Sequence, residues 1–231
     1  MEVKIRNNER VEELSESVRV IQNPDGFCYG TDAVMLAKFV SAKKTDKLVD
    51  FCTGTGIIPL LLSFLTSCSD MTALEIQEEV ADMASRSVKL NSLEDIINIR
   101  CADLRKSREI FEAETVDVVT CNPPYMLANT GKQNLSDAKT ISRHEVMCTL
   151  KDVVENAAYL LKTGGRFYMV HRPERLADIM HIMKEKRLEP KRMQFVHSAL
   201  NKAPSLVLIE GQKGRSAGLR VIEPVIASGI K

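Results

Sequence analysis

Residues 120–125 read Thr-Cys-Asn-Pro-Pro-Tyr at the end of an apolar run. Proline cannot donate to a sheet ladder, and the residue before it is pushed out of the α region. Asn122-Pro123-Pro124 is therefore a rigid, extended exit from a strand, one that holds the side chains of Asn122 and Tyr125 at fixed angles. The plain alternative is a strand terminator with a capping asparagine. A second group of residues bears on the choice. Asp50-x-Cys52-x-Gly54-x-Gly56 places a glycine-bearing turn where backbone can approach a ligand closely, and Glu75 follows about 20 residues on, where a carboxylate accepts both hydroxyls of a ribose. Asp103 is a third acid in the same series. Each acid alone reads as a strand-end cap, but three in register at one sheet edge read as an adenosine site. A dinucleotide site would carry a third glycine where this chain has Pro59, so the pattern favours an adenosine without a diphosphate.

The elements that position these residues follow from periodicity and punctuation. Residues 47–51 (KLVDF) predict a strand ending in the turn CTGTG, and IIPLLLSFL predicts the next helix, with Pro59 tolerated in its first turn. Strands are predicted at 70–75, 96–103, 115–121 and 166–171. One helix covers 77–91, with Val80, Met83, Ala84 and Val88 on one face. A helix at 153–161 is expected to close at Gly164-Gly165, another to cover 173–187, and two strands, KRMQFVH and SLVLIEG, to follow. Strands alternating with helices predict an α/β fold with a doubly wound parallel sheet and an antiparallel edge at the end. Ahead of it lie two strand-like runs, RVEEL and SVRVIQ, the turn Asn23-Pro24-Asp25-Gly26, and a capped amphipathic helix in GTDAVMLAKFV. The polar stretch 128–142, directly after the Asn-Pro-Pro-Tyr exit, is where a substrate loop is expected.

The chain has 231 residues, 44% of them apolar, enough for one well-filled domain. Residues 1–231 are expected to form a single domain, with 1–40 an amino-terminal extension and capping helix and 45–231 the core. The longest apolar run, Ile57 to Leu65, is too short for a membrane helix, and MEVKIRNNER lacks an apolar signal region. A cytoplasmic protein with no membrane partner is expected. Six scattered cysteines without a Cys-x-x-Cys pair suit buried free thiols, the four histidines show no ligand spacing, and no metal is assigned. Net charge is +1, yet residues 151–231 carry 15 Lys and Arg against 8 Asp and Glu, leaving residues 1–150 with 17 against 23. Such asymmetry points to a polyanionic partner, or else to a solvated face. Lys202, Lys213, Arg215 and Arg220 fall in loop-like segments where they would reach phosphates.

The glycine turn, the ribose acid, the third acid and the post-strand exit, in this order over about residues 28–171, resemble the class I S-adenosylmethionine-dependent methyltransferases. The Asn-Pro-Pro-Tyr form is specific to amino-group methylation within that class. The resemblance implies a Rossmann-like fold with a mostly parallel seven-stranded sheet, helices on both faces and an antiparallel carboxy-terminal strand. It narrows further: FCYGTDAVMLA, Asn122-Pro123-Pro124-Tyr125, Arg143-His144-Glu145, RPERL and EGQKGRSAGLRV look like the bacterial tRNA (adenine-N6) methyltransferases that act on adenosine 37 of a valine tRNA. What this implies is S-adenosyl-L-methionine as cofactor, a tRNA as partner and a monomer. Cofactor contacts would come from Tyr29, Gly30, Thr31, Asp32, Asp50, Cys52, Gly54, Gly56, Glu75, Ile76, Asp103 and Asn122. Thr31 and Asp32 would lie near the methionine part, or cap the helix that follows. Cys52 departs from the family, where Gly is common, and this bears on the tightness of the first turn.

In this resemblance the catalytic group is Asn122, Pro123, Pro124 and Tyr125. An exocyclic amine on adenine is a poor nucleophile because its lone pair is delocalised into the ring. If Asn122 Oδ1 and the Pro123 carbonyl accept its two N–H bonds, the nitrogen is held with its lone pair aimed at the methyl group, by positioning and electrostatics without a general base. Tyr125 would stack on the base. The same motif serves protein-glutamine methyltransferases of the release-factor type, which carry a separate helical domain that the short strand-rich segment here does not match. Guanine-N2 enzymes bring a duplicated domain, and DNA-adenine enzymes a target-recognition domain, that this length does not hold. A binding module without turnover is the remaining alternative.

Overall fold

The computed structural model describes residues 3–15, 17–26, 30–124 and 148–227. The parallel centre is built from β3 (Lys47–Phe51), β4 (Asp70–Glu75), β5 (Ile97–Cys101), β6 (Val116–Cys121) and β7 (Leu161–His171). Two long strands follow, β8 (Leu188–His197) and β9 (Pro204–Lys213), and two short ones, β10 (Arg220–Val221) and β11 (Val225–Ile226). The order across the sheet is β10-β8-β9-β7-β6-β3-β4-β5, with β11 also on β8. β9 alone runs against its neighbours β7 and β8, so the antiparallel strand lies one place inside the edge. The two-residue strands β10 and β11, which extend the expected seven strands to nine, lacked any apolar alternation long enough to read.

Near-continuous apolar runs suit strands covered on both faces. Within β6 and β7, successive residues feed opposite layers, as pleating requires. Val118 and Tyr168 pack with Leu36, Leu60 and Leu62 of α1 (Thr31–Phe39) and α2 (Ile57–Leu65). Val119 and Phe167 instead pack with Val153 of α5 (Leu150–Leu160) and with Ile179 and Met183 of α6 (Leu176–Glu185). Each such fully buried side chain stabilises the fold by about 1.5–3 kcal/mol. Two further helices, α3 (Glu78–Leu90) and the single turn α4 (Ser107–Ile110), complete the layers.

The amino-terminal runs form a hairpin, β1 (Arg10–Ser15) with β2 (Val18–Gln22), and it is tied to α3. Arg86 donates to both oxygens of Glu9 at 2.7 and 2.6 Å, and Ser87 Oγ accepts from Ile21 N. One expectation fails: Gly164-Gly165 does not cap α5, which ends at Leu160 and runs straight into β7. The glycines instead sit in a bulge of β7, where the register against β6 jumps from Val116↔Leu161 to Val118↔Arg166. A Cβ on Gly165 would stand 2.9 Å from the Lys162 carbonyl oxygen, so the glycine serves the bulge. The helix expected at 173–187 begins instead as a 3-10 turn over Pro173–Arg175. Among the described residues no helix is long and apolar enough to cross a membrane.

Candidate active site

The strand order reverses at β3, between β4 on one side and β6 on the other, and open α/β sheets bind ligands in the crevice outside such a switch point. A pocket lies there. Asp32 from the start of α1, Cys52 and Gly54 after β3, Glu75 and Ile76 at the end of β4, Asp103 after β5, and Asn122, Pro123 and Pro124 after β6 all line it. Gly30, Thr31, Asp50 and Gly56 are not part of its wall. Tyr29, Tyr125, Arg143-His144-Glu145 and the polar stretch 128–142 lie outside the described residues.

The turn after β3 winds through left-handed backbone at Cys52 (φ 56°), Gly54 (φ 58°) and Gly56 (φ 88°). Glycine adopts this region freely, while a side chain there costs about 1–2 kcal/mol, so Cys52 holds the tight turn at a cost its glycine-bearing relatives avoid. Gly56 closes the turn through its N–H to the Thr53 carbonyl and packs against Ala84 of α3. Gly54 differs: a Cβ there would meet nothing within 4 Å, only the open pocket. Gly54→Ala is therefore expected to fold, losing about 1 kcal/mol to its backbone conformation, and to weaken cofactor binding at least tenfold because the methyl group enters ligand space. Calorimetry beside thermal melting checks this, and unchanged affinity would remove the turn from the binding site.

Glu75 is 5% exposed. Its Oε2 accepts the Gly54 N–H at 2.9 Å and its Oε1 the Gln77 N–H at 3.0 Å, so the carboxylate fastens the glycine turn to the end of β4 with lone pairs to spare. Asp103 caps the turn at 104–106 and pairs with Arg105 at 2.6 Å. Burial raises its carboxyl, but the hydrogen bonds and charge of Arg105 outweigh this and hold it below the ordinary range. Asp103 thus arrives already paired, which the spacing of the acids did not reveal. Asp32 Oδ1 accepts from Ala33 N while lining the pocket, and no side chain caps α1 in the usual way.

Asp50 lies beneath the pocket and is 0% exposed. Thr120 Oγ1 donates to its Oδ1 at 2.5 Å, and its Oδ2 has no hydrogen-bond partner. Burial pushes its carboxyl up to about 7, against the opposing hydroxyls of Thr120 and Thr53 and with some help from the charge of Glu75. Between the ordinary carboxyl range and about 7 the unfolded chain has released this proton and the folded chain keeps it. Stability from this group therefore falls as pH rises through that window and is level above it.

Two features of the site were not read from the sequence. Cys52 and Cys148 bring their sulfurs to 4.0 Å at the pocket wall. Hydrogen bonding from Cys121 pushes the Cys52 thiol up, and burial does the same to Cys121, so this corner is a wall of protonated thiols. Cys68 and Cys121 are buried as expected of free thiols, whereas Cys101, on edge strand β5, is exposed. His171 ends β7 beside the exit of β6 and is 4% exposed. Burial, then the charges of Arg175 and Arg172, hold its imidazole down to about 4, and its Nδ1 accepts from Arg172 N at 2.8 Å. It is a neutral ring at neutral pH. Its only sequence signal was its place at a strand end.

A profile described as the methyltransferase small domain matches residues 18–186, which span this whole pocket. The chain belongs to that methyltransferase family. Curated relatives of the methyltransferase include proteins named tRNA1(Val) (adenine(37)-N6)-methyltransferase. The one from Parabacteroides distasonis is 26% identical over 78% of this chain and 75% of its own, and that from Tolumonas auensis is 26% identical over 78% and 74%. Among solved structures, a predicted O-methyltransferase of Agrobacterium tumefaciens superposes with a TM-score of 0.67 at 21% identity, covering 84% of this chain and 86% of the other. Geranyl diphosphate C-methyltransferase from Streptomyces coelicolor gives 0.56 at 15% identity, covering 79% and 78%. At such identities the structures share the fold, and the methyltransferase shows its core strand order with β9 inserted antiparallel.

Proposed function

We propose that this chain transfers a methyl group from S-adenosylmethionine to the exocyclic N6 amine of an adenine in tRNA, acting in the cytoplasm as a single domain over residues 1–231. The observation that carries the reading is the meeting of two residue sets in one pocket: Glu75 and the glycine turn on one wall, Asn122-Pro123-Pro124 on the other. The names of the curated relatives supply the base and the RNA.

The residues fit the cofactor. A side chain at Gly54 would fill pocket space, and the buried Asp50 Oδ2 lacks a partner near which a cationic sulfonium amino acid would settle. Glu75 would accept the ribose hydroxyls, Asp103 and Ile76 would flank the adenine, and Asp32 would face the methionine part. Bound there, the cofactor supplies an electrophilic methyl group. Asn122 Oδ1 and the Pro123 carbonyl orient the target amine by accepting its N–H bonds, and the two prolines keep those acceptors fixed, so no reorganisation is needed as charge develops on nitrogen. Cys52, Cys148 and the thiol corner keep the wall apolar and water away.

Asp50 gives the reading a pH signature. A positive ligand nearby favours the ionised carboxylate, so cofactor binding is expected to release a proton and to tighten as pH rises toward about 7. Calorimetry at pH 6 in two buffers of different ionisation enthalpy reads the proton directly. Asp50→Asn should abolish its release, and a wild type that releases none would place the cationic group elsewhere. The function itself is tested by incubating the protein and labelled cofactor separately with bulk tRNA, rRNA, duplex DNA and release factor. Label in tRNA is expected, and label in release factor alone would replace this reading with glutamine methylation.

A further inference from the structure

The expected phosphate contacts are redistributed by the fold. Lys213 is not a free cation: it belongs to β9, pairs with Glu114 at 2.9 Å and donates to the Leu161 carbonyl at 2.8 Å. Arg215 lies against Gly164 at the far end of β7 from the pocket. Arg220, by contrast, lies in β10 on the rim of a second cleft that the Asn-Pro-Pro site does not use. This cleft opens beyond the end of α1, on the same sheet face as that helix. Arg166 of β7 and Lys191 and Arg192 of β8 join Arg220 in its walls, and Glu210 of β9 is the one acid among them.

The cleft has a surplus of donors. Arg166 pairs with Asp46 at 2.5 Å, and Arg192 lies 2.9 Å from Glu210 Oε2, donates Nη2 to the Phe39 carbonyl and stacks over the Phe39 ring at 4.1 Å. Both guanidinium groups are thus fixed in place with further N–H donors left over. Arg192 Nε is buried and has no hydrogen-bond acceptor. Asp46 and Glu210 balance two of the four cations. Lys191 and Arg220 have no acidic partner among the described residues, and Lys191 donates only to the Ser216 carbonyl at 3.2 Å. Gly218 (φ 138°) keeps the approach to that ammonium open, since a Cβ there would stand 3.2 Å from Lys191 Nζ. Half-buried ion pairs are weak sources of stability, so a cluster this rich in positive charge is poorly explained by folding alone.

We propose that this cleft seats a backbone phosphate of the RNA substrate. The inference rests on the tRNA reading above and adds a second contact region to it. Arg166 pairs with Val118 across β6, and Asn122 lies four residues further along that strand. At about 3.3 Å per residue the cleft is then about 13 Å from the methylation site along the sheet, the span of a few nucleotides. An RNA presenting its adenine at Asn122 reaches the cleft with neighbouring backbone, and Arg166 and Arg192 hold a phosphate oxygen while Lys191 and Arg220 supply the balancing charge.

The test is the double variant Lys191→Glu/Arg220→Glu, both changes at positions outside the core. Its tRNA affinity in low salt should fall at least tenfold. The slope of log K against log salt should shrink by roughly 1.4 to 1.8, for two phosphate contacts at about 0.7 to 0.9 each. Cofactor affinity should remain within twofold, and Lys191→Gln/Arg220→Gln, with the same melting temperature as the wild type, should show a smaller loss in the same direction. Unchanged tRNA affinity and slope in both variants overturn the proposal. Titration with inorganic phosphate separates the sources: binding lost in the variant while tRNA affinity is untouched identifies a small-anion site and overturns an RNA role. Methyl incorporation by the wild type, read in parallel, separates the two failures. A wild type that methylates tRNA no better than the variant sinks the cleft alone, whereas a wild type that methylates no RNA sinks the tRNA reading.

Discussion

Asn122→Ala lowers the rate of methyl transfer by on the order of 10²-fold or more, while cofactor affinity stays within a few fold. Asn122 lines the pocket where β6 ends, and the two prolines after it fix the direction in which its amide is presented. The role proposed for that amide is to accept from the target amine as charge develops on nitrogen. Removing one such preorganised partner costs about 10² to 10³ in turnover in enzymes that stabilise developing charge this way. The loss should appear in kcat and kcat/KM together, because the interaction is realised in the transition state. Single-turnover kinetics with saturating cofactor reads it. Turnover near the wild-type value would reduce Asn122 to a strand terminator.

Glu75→Ala weakens cofactor binding at least tenfold, read by calorimetry on protein shown to be folded. Two charge-assisted hydrogen bonds to ribose hydroxyls, each worth about 1.5 to 3 kcal/mol, account for that minimum. Glu75 also accepts the Gly54 and Gln77 N–H groups, so the substitution loosens the glycine turn itself. Glu75→Gln separates the two effects: one acceptor oxygen survives to serve a backbone donor, but the charge on the ribose hydroxyls is gone. It should melt closer to the wild type than Glu75→Ala and still bind cofactor more weakly. Unchanged affinity in both variants would leave the carboxylate as a cap on β4.

Much of the frame was legible because its signals are local. The alternation of apolar strands and periodic helices, with Pro59 in the first turn of α2, places Gly54, Glu75, Asp103 and Asn122 at one sheet edge, and the pocket contains all four. What the sequence hid was pairing between distant residues. Asp103 bonds its own neighbour Arg105, Asp50 is sealed under the pocket with one oxygen unpartnered, and Lys213 is tied to Glu114 across 99 residues. The thiol corner is likewise a product of topology, since Cys52 and Cys148 are 96 residues apart. Gly164-Gly165 misled for a different reason: glycine after a helical run signals a C-cap, but here the same freedom serves a bulge in the strand that begins at once. A basic carboxy-terminal third was visible as a count, while the division of its cations between ion pairs and an open cleft depended on the sheet order.

The most direct measurement is nucleoside mass spectrometry of tRNA after a single turnover with isotopically labelled S-adenosylmethionine, run with the wild type and with Asn122→Ala. The account predicts labelled N6-methyladenosine from the wild type and its near absence from the variant, with both proteins binding cofactor to a similar degree. Label on another position of the base, or on a protein glutamine with none on adenosine, would contradict it.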